Sequence, residues 1–335
     1  MKKFLIGMLG TGFTLLTVVA VGGYWGYQTL MVFAQSQLNV EQAQELEIKR
    51  GTSFSQFTHL LTQNKLIEDG RKLKWLVRLH PELAHIKSGL YEIEPQETVN
   101  SLLDKLIAGN EKSFALTLLE GQTIKEWQLQ LAEHQKLTFD DALFSSILVK
   151  NGDYSGLAEG KFFPDTYHYR ANSSANTLLQ ESYRKMQAEL DKAWQDRQKG
   201  LPLKSSYELL ILASIIEKET GKASERPWIA AVFINRLRKG MRLQTDPTVI
   251  YGMGDRYQGN ITRKDLREQT AFNTYRINGL PPTPIAAPSL AALHAAANPA
   301  DVNYLYFVSR NDGSHVFSKT LLEHNRAVNK YQRNR

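Results

Sequence analysis

Hydrophobic and polar positions alternate in three different ways along the chain. The first texture is a run without charge from Phe4 to Gln37, strongly apolar from Phe4 to Tyr27. As a helix those residues would extend roughly 36 Å at about 1.5 Å each, enough to cross a bilayer core. Residues 28 to about 44 then read as a polar linker rich in Gln. The second texture is a repeating unit of short strand, turn and helix. Segments beginning Gly51-Thr52-Ser53-Phe54, Gln96-Glu97-Thr98-Val99 and Gly121-Gln122-Thr123-Ile124 can be laid over one another. Each offers a cap at Ser53, Thr98 or Thr123, followed by apolar residues one, four and eight places on, as in Phe54, Phe57 and Leu61. That spacing marks one face of a helix behind a capping hydroxyl. Strand-like runs precede them at Leu46–Lys49, Gly89–Ile93 and Phe114–Leu119.

The third texture begins near residue 140. An aromatic turn covers Gly160 to Tyr167, and residues 175 to about 198 carry Leu178, Leu179, Tyr183, Met186, Leu190 and Trp194 at helical spacing. Ser205-Ser206-Tyr207-Glu208 has the spacing of a capping box, and predicts a helix running through Glu219 and stopping near Gly221. This helix is apolar nearly all round, as a buried helix should be. A carboxyl group at its end lies between core and surface, where burial and the helix dipole both raise its pKa towards the value a general acid needs. Glu217 and Glu219 compete for that role and point to opposite sides of the helix. Glu217 shares its side with Ala213 and Ser214, small residues that leave room for a ligand, and is favoured for that reason. Glu219 is expected to be a flanking residue paired with Arg226. On spacing alone, either glutamate is equally well an ordinary charge at a helix end.

Composition narrows the chemistry. The 41 Lys and Arg against 34 Asp and Glu give a formal charge of +7, spread along the chain rather than gathered into the patch that nucleic-acid binding needs. The absence of cysteine removes disulfides, thiol nucleophiles and thiolate metal sites. The eight histidines make no H-E-x-x-H spacing, and neither a phosphate loop nor a G-x-S-x-G elbow is present. Lys2 and Lys3 before the apolar run, and Glu41, Glu45 and Glu47 after it, predict a cytoplasmic N-terminus with the bulk of the chain outside. Tyr24, Trp25 and Tyr27 sit where an interfacial aromatic belt would lie. A cleaved signal peptide is the competing reading; the run is long for one and lacks a small-x-small site at its end.

The strand–turn–helix unit resembles a LysM-type module, a small fold that grips N-acetylglucosamine-containing glycans. Longer motifs carry a second resemblance. Ala213-Ser214-Ile215-Ile216-Glu217-Lys218-Glu219-Thr220, Val232 to Leu237, Leu243-Gln244-Thr245-Asp246-Pro247 through Gly252, Asn273-Thr274-Tyr275, Gly279-Leu280-Pro281-Pro282 and Tyr304 to Val308 are similar to the signatures of the YceG-like endolytic murein transglycosylases. The resemblance covers nearly the whole chain. It implies an α+β fold: an N-terminal transmembrane helix, a small LysM-like α+β subdomain, and a mixed α+β catalytic domain with a buried helix bearing the catalytic Glu. The corresponding ranges are 1–27 for cytoplasmic tip and anchor, 28–44 for the linker, 45–135 for the LysM-like region and 136–335 for the catalytic domain.

The resemblance places the catalytic acid at Glu217 and implies cleavage between N-acetylmuramic acid and N-acetylglucosamine to give 1,6-anhydromuramoyl ends. One carboxyl group suffices, because the muramoyl C6 hydroxyl is an internal nucleophile of high effective molarity; ordinary glycosidases use two. Ser214, Asn235, Arg236, Gln244, Thr245, Asp246, Tyr251, Asn273 and Tyr275 are the substrate-binding candidates. For each of the loop candidates taken alone, a role in loop structure is an equal alternative, and for Asp246, before Pro247, that alternative is simple initiation of a turn. The implied partners are peptidoglycan glycan strands, peptidoglycan synthases at the membrane, and the cytoplasmic membrane itself through one helix. Neither a metal nor an organic cofactor is implied. The alternatives are a glycan hydrolase and a non-catalytic, membrane-anchored glycan-binding scaffold.

Overall fold

The computed structural model describes residues 2–134 and 136–333, with the side chains of residues 2–15 outside that description. The chain divides into two compact units, 1–114 and 115–335.

The first unit opens with helix α1 (Lys2–Gln35). Its last turns pack Leu30, Met31, Phe33 and Ala34 into the unit's core. Strands β1 (Gln44–Ile48) and β2 (Gly89–Ile93) pair antiparallel, Gln44 opposite Ile93 and Ile48 opposite Gly89. Helices α2 (Phe54–Gln63) and α3 (Gly70–Leu79) lie between them in sequence and α4 (Val99–Ala108) follows. Phe57, Leu61, Leu73, Leu76, Tyr91 and Leu103 form the centre of this core. Ser53 and Thr98 each close a full capping box, as the repeat predicts.

Among the described residues no helix is long and apolar enough to cross a membrane. The apolar run begins in residues whose side chains lie outside the description. In its described part Leu16, Val18, Val19, Val21 and Trp25 are 57–72% exposed.

Strand β3 (Ser113–Thr117) pairs with β5 (Thr166–Arg170), and helix α5 (Ile124–Ala132) carries the third capping box, at Thr123. This third copy of the repeat falls in the second compact unit, which begins at Ala115. The physical reason is local. Trp127 on α5 is fully buried and donates to the Leu119 carbonyl, and the Ile124 N–H donates to the Glu159 carboxyl group.

The second unit continues with β4 (Leu137–Thr138), α6 (Leu143–Lys150), β6 (Ser173–Ser174) and α7 (Ala175–Gln195), β4 and β6 pairing parallel. Helices α8 (Ser206–Glu219), α9 (Arg226–Arg238), α10 (Asp246–Met253) and α11 (Leu290–Ala297) follow, then the hairpin β7 (Tyr306–Ser309) and β8 (His315–Ser318), and α12 (Leu321–Val328). Every residue of α8 from Leu209 to Ile216 is at most 3% exposed. The alanines of α11 let its backbone approach α8 closely, and α7, α9 and α10 cover the remaining faces. Pro247 sits in the first turn of α10 with Thr245 as N-cap. The Asp-Pro step therefore starts a helix and not the simple turn that was the alternative, since proline needs no N–H in the first turn.

Glu159 links two elements of this unit: it accepts from the Ile124 N–H at the start of α5 and from the Tyr251 hydroxyl on α10. The next residue, Gly160, has φ +73°, and a Cβ there would stand 2.5 Å from Pro284 Cβ. Gly160→Ala combines left-handed strain with steric overlap and should destabilise by about 2–4 kcal/mol, read as a lowered denaturation midpoint. Burial pushes the Glu159 pKa up to about 7. A carboxyl group raised on folding favours the native state below its unfolded pKa and loses that advantage as pH climbs to the folded value. The melting temperature of Glu159→Gln relative to the natural chain should therefore rise between about pH 4.5 and 7. A pH-independent difference would contradict this assignment.

Candidate active site

Helix α8 ends in an extended Thr220, and the two glutamates of its last turn meet different surroundings. Glu217, with a side chain 5% exposed, faces the start of α11. Its Oε2 accepts from the Ser289 N–H at 2.9 Å and from the Ser289 hydroxyl, and its Oε1 lies 3.5 Å from Arg226 Nη2. Ser289 is the N-cap of α11, accepting from the Ala292 N–H. Glu217 thus bridges α8, the positive end of α11 and Arg226, an arrangement that anchors helices. The expected pairing of Arg226 with Glu219 is not found; Arg226 pairs with Glu217 instead, because Glu219 leaves the helix on the other side.

Glu219 opens on a groove of about 480 Å³. The groove also receives Arg236, Gln244, Thr245, Asp246, Tyr275 and His324. The Thr245 hydroxyl donates to Glu219 Oε1. Burial pushes the Glu219 pKa up to about 7; Asp246 adds to the rise, while the Thr245 bond and the charge of Arg236 oppose it. The Tyr275 hydroxyl donates to Asp246 Oδ1 at 2.6 Å. Arg236 is buried and spends its donors elsewhere: on the Leu305 carbonyl at 2.7 Å, the Leu243 carbonyl at 2.9 Å, the Arg242 carbonyl and Gln244 Oε1, both at 3.2 Å. Its guanidinium lies 5.1 Å from the centre of the Tyr306 ring, and that ring stacks on His324 at 5.2 Å. His324 Nδ1 is buried with no hydrogen-bond partner among the described residues, and desolvation, reinforced by Arg236, lowers its pKa.

Of the residues singled out from sequence, Arg236, Gln244, Thr245, Asp246 and Tyr275 come together here. The others go elsewhere. Ser214 is fully buried, donating to the Ile211 carbonyl and accepting from the Ile285 N–H. Asn235 clamps the approach to β7 through the Val302 and Tyr304 carbonyls. Asn273 is buried and donates to the Asp265, Leu266 and Glu268 carbonyls. Tyr251 pairs with Glu159 and packs on Phe272. Their polar groups hold loops rather than face the groove. His324 escaped the sequence reading, with no fixed spacing to the motifs around it, while Tyr306 and Glu159 lie in stretches that carry the family resemblance without being singled out as site residues.

A protonated carboxyl group, kept from water and beside hydroxyl, amide and carboxylate groups, can give a proton to an oxygen held in the groove. The sequence model of the YceG-like family matches residues 46–330. An endolytic murein transglycosylase of Bacillus subtilis strain 168 is 30% identical over 306 residues, covering 85% of this chain and 84% of that protein. One from Streptococcus pneumoniae strain D39 is 27% identical over 364 residues, covering 98% of this chain but 65% of the longer relative. The crystal structure of a putative YceG-like protein from Listeria monocytogenes superposes with a TM-score of 0.58 at 29% identity, covering 86% of this chain and 99% of that one. With the family pattern running from the first unit to the end of the second, the chain belongs to the YceG-like family.

Proposed function

We propose that this chain is an endolytic lytic transglycosylase of peptidoglycan and that Glu219, rather than Glu217, is its acid/base. The observation that carries the reading is the Glu219 carboxyl group itself: withdrawn from water, raised to about 7, and open to a groove lined by the motif residues. Membership of a family whose relatives bear that activity in their names supports the reaction class. Glu217 is left without a free oxygen by Ser289 and Arg226.

The reaction needs one group that gives a proton and then takes one back. Protonated Glu219 passes its proton to the glycosidic oxygen between N-acetylmuramic acid and N-acetylglucosamine as the C1–O bond breaks. The resulting carboxylate accepts the proton of the muramoyl C6 hydroxyl while O6 bonds to C1. The products are a 1,6-anhydromuramoyl end and a free 4-hydroxyl on N-acetylglucosamine; no water is consumed and Glu219 is protonated again. Asp246, held in place by the Tyr275 hydroxyl, supplies negative charge near the developing oxocarbenium ion. The competing hydrolase reading uses the same acid and admits water, and the mass of the new end, differing by one water, separates the two.

The apolar side chains exposed along α1 and the uncharged run from Phe4 support a single membrane anchor, with the N-terminus cytoplasmic. Such an anchor confines the enzyme to strands near the membrane, so nascent glycan is the substrate and peptidoglycan synthases are its neighbours. The strand–helix repeats of the first unit serve to hold glycan.

Glu219→Gln should lower the cleavage rate of purified peptidoglycan by about 10²–10⁴-fold with the fold intact. Glu217→Gln should keep the rate within tenfold while losing about 1–3 kcal/mol of stability, since a buried bridge is weakened. The opposite ranking would return the acid to Glu217. Activity should fall as pH rises through about 7, because the protonated form does the work. In cell fractionation the full chain should sediment with membranes; a freely soluble chain would sink the anchor.

A further inference from the structure

Thr245 is the N-cap of α10, yet its hydroxyl makes no capping bond. Ser, Thr, Asp and Asn are favoured at such positions because the side chain satisfies an N–H of the first turn. Here the hydroxyl is diverted to Glu219 Oε1. Among the described residues no other hydrogen bond reaches that carboxyl group.

The backbone of Thr245 is held from behind by two further threonines, all three side chains lying in residues at most 2% exposed. The Thr245 N–H donates to Thr274 Oγ1 at 3.0 Å. Thr248 donates its one hydroxyl hydrogen to the Thr245 carbonyl at 2.8 Å. Thr248 and Thr274 hydroxyls are 2.8 Å apart. The Thr274 hydroxyl also lies 3.3 Å from the Thr245 carbonyl; the shorter 2.8 Å bond gives that acceptor to Thr248, which leaves Thr274 as the donor to the Thr248 hydroxyl. The hydrogens therefore run one way round a closed ring: Thr245 N–H to Thr274, Thr274 to Thr248, Thr248 to the Thr245 carbonyl. Each hydroxyl gives once and accepts once, which is the satisfied state that buried polar groups require. Gln244 beside it has φ +52° and donates its N–H to the Thr274 carbonyl, so the approach to Thr245 is fixed as well.

We propose, building on Glu219 as the acid, that Thr245, Thr248 and Thr274 are positioning residues that decide which oxygen of Glu219 carries the transferred proton. A hydroxyl that donates to Oε1 favours the stronger acceptor there, the carbonyl oxygen of the protonated group, and so biases the hydrogen to Oε2. Without that bond the proton can sit on Oε1 and turn towards Thr245, away from the glycosidic oxygen. The threonine ring matters because a donor must hold its angle to discriminate between two chemically identical oxygens.

The ring makes predictions that a purely structural role would not. In the full chain acting on purified peptidoglycan, Thr245→Val removes the hydroxyl at nearly constant shape. It should lower kcat about tenfold or more with KM within about twofold. It should also move the high-pH loss of activity upward, because the lost bond had favoured the carboxylate. Arg236, Asp246 and Tyr275, which face Glu219, and His315 and His324 in the same groove keep their charges in this variant. Thr274→Val should lower kcat severalfold and Thr274→Ser should restore it, since serine keeps the hydroxyl. Thr245→Ala provides the same comparison should valine not be accommodated, with melting temperatures reported for each. A Thr245→Val enzyme with unchanged kcat and pH limb overturns the proposal, as does a Thr274→Ser enzyme as impaired as Thr274→Val. If Glu219→Gln still cleaves, the underlying assignment of the acid has failed; if it is inactive while Thr245→Val behaves normally, only the positioning role has failed.

Discussion

Keeping a carboxyl group away from water without handing it a cation is the demand around which the second unit is organised. An isolated carboxylate in an apolar surrounding costs several kcal/mol, so the group answers by holding its proton. Helix α8 imposes that condition on Glu219 because its preceding turns are buried on every side by α7, α9, α10 and α11. The nearest candidate for a counter-ion, Arg236, is committed to three carbonyls and an amide oxygen. Its charge moderates the carboxyl group without ion-pairing with it.

Two residues earlier on the same helix the reverse arrangement holds. Glu217 receives two donors from Ser289 at the start of α11 and lies beside Arg226. The two glutamates thus divide the labour that a helix end makes possible. One fastens the alanine-rich α11 against α8, and the other is kept free of such partners. The fastening bears on the groove at one remove, since α11 packs against the helix from which Glu219 projects.

Much of the scaffold was legible in the sequence because capping signals are local. Ser53, Thr98 and Thr123 announce their helices within four residues, and the structure shows complete capping boxes at all three. The apolar stretch from Leu209 to Ile216 likewise reads directly as a buried helix. Which of Glu217 and Glu219 faces the groove was not legible, because a helix that is apolar all round names no face. Ala213 and Ser214 were read as room for a sugar. In the structure they are fully buried, and Ser214 receives the Ile285 N–H, so these small side chains mark close approach by the protein's own backbone. Asn273 and Tyr251 bond within the protein for a related reason: the residue types that bind sugars are the same types that tie down loops. Arg236, Gln244, Thr245, Asp246 and Tyr275 were found because their motifs are long enough to mark a region, if not an orientation.

The groove is assembled from distant stretches of the chain: the end of α8, the start of α10, the loop at Tyr275, and finally β7, β8 and α12. Contacts of such sequence separation form late, after their loops have closed. On a ribosome Glu219 leaves the exit tunnel well before the last wall does, and domains mature as units during synthesis. A nascent chain therefore carries that carboxyl group for some time with no trough in which to hold a polymer. The trough is complete only once the hairpin and final helix have docked, so the order of assembly is written into the topology.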